Sequence, residues 1–114
     1  MSSRIFRIRS ADRDRETDIR RLDRLAEAAA VLHEEINRES DGLRRRYEEA
    51  TRDAAFALEA RETGSGQRKL DGRIDELTET VMKCEQRLRD LETQDAFYRD
   101  IRDRIAAYRT SKDL

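Results

Sequence analysis

Apolar residues recur every three and four positions along most of this chain, and the pattern reverses about Gly64-Ser65-Gly66. Counted from Ile19, the a positions are Ile19, Ala26, His33, Ser40, Tyr47 and Ala54, and the d positions are Leu22, Ala29, Ile36, Leu43, Ala50 and Ala57. An unbroken alternation of three and four predicts a left-handed coiled-coil helix. Ser10 suits an N-cap and Asp12 and Asp14 a first turn, so helix 1 is expected to start near residue 11. Gly42 lies off the seam and costs roughly 1 kcal/mol of helix propensity. Thr63-Gly64-Ser65-Gly66-Gln67 reads as a helix end and a short connection, because Gly enters the left-handed region without a Cβ clash. One continuous helix with a flexible stretch is the alternative. The second helix, expected from about Arg68 to about Tyr108, carries Leu70, Ile74, Leu77, Val81, Cys84, Leu88 and Leu91 on its seam. Beyond Leu91 the phase slips: Asp95 and Arg102 fall on core positions, and Ile101 and Tyr108 sit one residue ahead, which predicts a stammer.

Folding at residues 65 and 66 sets each a position against a d position, the two numbers summing to 131. Ala57 faces Ile74, Ala54 faces Leu77, Ala50 faces Val81, Tyr47 faces Cys84, Leu43 faces Leu88 and Ser40 faces Leu91. Small residues oppose larger ones near the turn, as space filling requires. The fold class is therefore all-α: a long antiparallel two-helix coiled-coil hairpin, which could pair into a four-helix bundle. The expected organisation is a flexible basic-apolar tail at 1–10, the hairpin over 11–110 with its turn at 63–67, and a short C-terminal tail at 111–114. The register sets Leu22 against Tyr108 or Arg109 and Ile19 against Lys112, so residues 1–17 are expected to overhang the hairpin.

Composition then narrows the picture. Charged residues make up 45% of the 114 and hydrophobic ones 36%, with no Pro, which fits either disorder or long helices with a narrow seam. Abundant Ala, Leu, Glu and Arg decide for helix. A net charge of −1 argues against a general nucleic-acid binder. One Cys cannot form an internal disulfide and suits a reducing compartment. No apolar run approaches the ~20 residues of a transmembrane segment and there is no secretory h-region, so the expected location is cytoplasmic.

Candidate chemistry is sparse, and no enzyme is expected. His33 falls on the seam opposite Tyr98 and one turn from Asp95, where a polar layer that sets register explains it better than a metal site. Cys84, also on the seam, reads as a small hydrophobe. Glu34, Glu35, Glu39, Glu48 and Glu49 lack the paired Glu-x-x-His motifs of di-iron bundles. Arg44-Arg45-Arg46 fans around the helix and is followed by Glu48, Glu49 and Asp53. Neither a cofactor nor a metal is implied. Apolar residues off the seam carry more information. Leu25 and Leu32 at g, Leu58 at e, and Phe56 and Phe97 further round, with Ile5, Phe6 and Ile8 in the tail, are the candidate partner-binding residues. Ala28, Ala30, Val31 and Met82 add to those faces. A homodimer or a protein partner would cover them.

The opening Ile5-Phe6-Arg7-Ile8-Arg9, the charged helix from Arg13 through Leu32 and the hairpin over about 11–110 together resemble the FliJ/YscO family. These are coiled-coil stalk proteins of flagellar and type III secretion export. The resemblance rests on architecture and composition. It implies a mechanical adaptor, similar to the rotary γ stalk of ATP synthases, that links an export ATPase ring to an export gate and handles secretion chaperones. No binding residue is carried across. The readings beside this adaptor or chaperone-like stalk are a structural homo-oligomeric helical bundle and a regulator, either binding a protein partner or acting through residues 1–17 on an acidic surface, nucleic acid or membrane.

Overall fold

The computed structural model describes the backbone of residues 2–64 and 66–114, and side chains from Ser10 onward apart from residue 65. Two helices account for nearly all of it, α1 (Ser2–Glu62) and α2 (Gln67–Lys112), paired as a hairpin with no strand among the described residues. Helix α1 thus begins well before residue 11, and Ser10 lies inside it rather than at its cap. The Ser10 hydroxyl is not required there, because continuous helix supplies the next turn's N–H groups with carbonyl partners.

The turn is built as its composition requires. The Gly64 N–H donates to the Arg61 carbonyl at 3.3 Å, with Gly64 at φ 97°. The Thr63 hydroxyl donates to the Ala60 carbonyl at 2.8 Å, satisfying another of the last acceptors of α1. Gly66, at φ 76°, offers its carbonyl to the Leu70 N–H at 3.0 Å and so opens α2. Substitution should separate the glycines by sign. Gly64→Ala should cost about 1 kcal/mol through a strained φ. Gly42→Ala, in open space inside α1, should gain about 0.5–1 kcal/mol. Urea midpoints that moved the same way for both would contradict this assignment.

The far end of α2 uses an Asp where Gly is usual. Asp113 sits at φ 55°, its N–H donates to the Thr110 carbonyl at 3.2 Å, and the Leu114 N–H donates to the Arg109 carbonyl at 2.8 Å. This is the Schellman arrangement. Two arginines complete it: Arg15 from α1 donates to the Asp113 carbonyl at 2.6 Å, and Arg109 to the Leu114 carbonyl at 3.4 Å. Cations suit this end of a helix. Contact with α2 therefore reaches Arg15, so the overhang at the start of α1 is shorter than the register of the apolar seam suggests.

Each of two compact units pairs a stretch of α1 with a stretch of α2. In the unit Glu35–Asp95, Ile36, Ser40, Ala50, Ala57, Leu77, Cys84, Leu91 and Asp95 are buried, and the remaining seam residues are half-buried. Every one of these lies at an expected a or d position. Two ion pairs between the helices test the register independently. Arg87 grips Glu39 through two bonds of 2.6 and 3.1 Å, and Arg73 approaches Asp53 at 3.9 Å. Both pairs join g positions with numbers summing to 126, the value that a seam sum of 131 imposes on flanking g residues. Arg61 and Asp71 form a third pair at 2.8 Å beside the turn.

In the unit formed by Met1–Glu34 and Ala96–Leu114, Ala29 and Ile105 are buried, with Ile19, Leu22, Ala26, His33, Tyr98, Ile101 and Arg109 half-buried. The expected stammer is absent. Ile105 and Arg109 hold the original phase, while Tyr108 is 51% exposed. The departure is local: Ile101 is partly covered beside an exposed Arg102. Arg109 can occupy a seam position because Asp23 accepts its guanidinium at 2.7 Å and its stem covers apolar surface. Leu22 therefore has Arg109 rather than Tyr108 opposite it in register.

Candidate interaction surface

The ionisable groups singled out in the sequence are distributed between the seam and the solvent-facing sides of the helices. Among the described residues no group of three or more His, Cys, Asp or Glu side chains is placed to hold a metal. His33 is half-buried on the seam and engaged. Cys84 is a buried free thiol, 4% exposed, as a small core residue would be. Among the described residues every fully buried side-chain nitrogen or oxygen has a hydrogen-bond partner, and the buried Asp95 is engaged. The Arg44-Arg45-Arg46 run is exposed, and Arg44 turns back to Asp41 at 3.4 Å.

The Glu39–Arg87 pair shows a displaced titration. The Arg87 hydrogen bonds hold the Glu39 carboxyl below its usual range, and Glu39 raises the Arg87 guanidinium in turn. Both side chains are nearly half exposed, so this bidentate contact sets register more than it adds stability.

The apolar residues off the seam behave differently in the two units. In Glu35–Asp95, Phe56, Leu58 and Met82 are all exposed, but Phe56 at c lies on the other side from Leu58 at e and Met82 at b, and those two stand more than two turns apart along the hairpin. Single exposed apolar side chains of that kind are ordinary. In Met1–Glu34 with Ala96–Leu114 they converge. Leu25, Val31 and Leu32 are exposed on one face of α1. Ala28, Val31 and Leu32 line a shallow groove there with Arg24 and Glu27. On α2, Phe97, Ile101 and Tyr108 follow at spacings of four and seven, which is again one face. The Phe97 and Tyr98 rings meet edge to face at 5.7 Å, so a half-buried neighbour braces Phe97.

Of the sequence-derived partner candidates, the structure therefore brings Leu25, Leu32 and Phe97 into one unit and leaves Phe56 and Leu58 on separate faces of the other. The side chains of Ile5, Phe6 and Ile8 lie outside the described residues. Tyr108 belongs to the apolar face, although the sequence reading placed it in the core. The signal that could have found it is its spacing of seven from Ile101, both at g once the heptad is continued without a slip.

Fold and surface together define a two-helix coiled-coil hairpin with an unpartnered apolar face. The chain matches no protein-family model, no curated protein and no solved structure. Among the described residues no helix is long and apolar enough to cross a membrane.

Proposed function

We propose that this chain is a non-enzymatic coiled-coil adaptor or scaffold that works by holding other proteins. One observation carries the reading. Among the described residues eight large apolar side chains are exposed, while Ile36, Leu77, Leu91 and Ile105 are the leucines and isoleucines that the seam buries. A hairpin that leaves eight such residues outside its seam gains from covering them with a partner. The specific form we favour is a cytoplasmic export stalk of the flagellar or type III secretion kind. Its hairpin would link an ATPase ring to an export gate and receive chaperones. The paired helices and the ion pairs that bridge them within the unit Glu35–Asp95 suit transmission of force or position.

The test is affinity capture from the native lysate, comparing the full chain with one lacking residues 1–17. Recovery of an export ATPase or gate component supports the stalk, and its loss on truncation assigns the contact to the start of α1. Recovery of the chain alone favours the second reading, a structural homo-oligomer. The convergence of Leu25, Val31 and Leu32 on one face is the observation behind that reading.

A further inference from the structure

We infer that the apolar face of the unit Met1–Glu34 with Ala96–Leu114 is a self-association surface. A second copy of this chain docks on it antiparallel, about a twofold axis at the level of Ala28. The inference rests on the scaffold reading and adds an occupant and an orientation to it.

The two apolar stripes lie on one side of the helix pair. Leu25 and Ile101 are both g residues whose numbers sum to 126, the relation shown by the ion-paired g residues Glu39 and Arg87. Asp23, which holds Arg109, flanks the seam on the opposite side from Leu25. The face is therefore Leu25, Ala28, Val31 and Leu32 on α1 beside Phe97, Arg104 and Tyr108 on α2, all exposed, with the half-buried Ile101 between them.

Its content repeats about a centre. Ala28 has no bulk to keep two helices apart, and Leu25 and Val31 stand three residues to either side of it. Turned over about that level, Leu25 of one copy meets Val31 of the other, and Ala28 meets itself. On α2 the same level falls near residue 103. Phe97 and Tyr108 stand on either side of it, which sets ring against ring across the axis. Asp100 and Arg104 also straddle it, and within one chain they already pair at 2.9 Å. In an antiparallel dimer each meets the other's counterpart, so both charges gain an opposite neighbour. A parallel copy would instead set Asp100 against Val31, leaving a carboxylate on an apolar side chain. The parallel copy would pair Arg104 with Glu27 but strand Asp100, whereas the antiparallel copy gives Asp100 and Arg104 an opposite charge each. The mixed signs of Arg24, Glu27, Asp100 and Arg104 around the face offer no net attraction to an anionic membrane.

Sedimentation equilibrium of the full chain tests this. The expected result is a dimer whose dissociation constant rises at least about 100-fold in Leu25→Glu/Leu32→Glu. Far-UV circular dichroism should show helicity unchanged, since both leucines are exposed in the hairpin. Orientation is read separately in a Cys84→Ala chain. Ala28→Cys should oxidise to a covalent dimer, whereas Ala106→Cys, at e on the other side, should not. Asp100→Arg should weaken the dimer, and adding Arg104→Asp should restore it. A chain that stays monomeric to about 100 μM, a dimer indifferent to the two glutamates, or crosslinking at residue 106 in place of 28 would each overturn the inference. A monomer would leave the scaffold reading standing on its own capture experiment.

Discussion

Leu91→Asp should be the most damaging single substitution in the hairpin. Leu91 is 2% exposed, the most completely buried side chain among the described residues, and its register partner is Ser40. Removing a buried leucine costs about 2–5 kcal/mol, depending on how far the site collapses. The Asp adds an unpaired carboxylate where water cannot reach it, and Ser40 offers only a hydroxyl in return. The expected loss is about 4 kcal/mol or more, a fall in melting temperature of at least about 15 °C. Thermal unfolding followed at the helical band measures it. A melting temperature within a few degrees of the parent chain would mean that the seam does not pass through residue 91. Leu43→Asp and Leu88→Asp, at half-buried seam positions, should cost less.

The second large effect is a gain. Tyr47→Cys should form a disulfide with Cys84, because the register sets residue 47 opposite residue 84 and Cys84 is already a free thiol in the core. Closing a loop of that length removes unfolded-state entropy worth about 3–4 kcal/mol when the native geometry accepts the bond. The oxidised chain should melt about 10 °C or more above the same chain reduced. The comparison of oxidised with reduced protein cancels the loss of the half-buried Tyr47 ring. Mass spectrometry reads the bond directly. If Leu43→Cys or Ala50→Cys closed with Cys84 in preference to Tyr47→Cys, the helices would be paired one heptad layer away.

Several features of the hairpin are local matters, and local features are legible in a sequence. The seam over residues 19–91 follows from a period of three and four, because helical geometry turns that spacing into one face whatever the rest of the chain does. The turn follows from Gly64 and Gly66, which adopt the positive φ values their positions demand. Pairing register follows from the turn and the seam together, and the Glu39–Arg87 and Asp53–Arg73 pairs agree with it although they played no part in deriving it.

What the sequence alone misplaced were matters of competition between neighbours. Ser10 has the chemistry of a cap, but a cap is used only where the helix stops, and α1 runs on to Ser2. Ile101 and Tyr108 are more apolar than Arg102 and Arg109, so hydrophobicity alone moves the seam onto them. In three dimensions the chain has a better use for Arg109, between Asp23 and the carbonyl of Leu114, and that anchorage keeps the heptad in phase and turns Tyr108 outward. The same choice assembles the candidate surface. Leu25, Leu32 and Phe97 were visible as apolar residues off the seam, but whether they met, and that Phe56 and Leu58 did not join them, depended on which α2 residues shared their side. The amino-acid sequence by itself determined two paired helices, their turn and their register, since each rests on spacing along the chain. Only the tertiary structure decided which charged side chains could be held at the seam, and hence which aromatic and aliphatic side chains were left outside it.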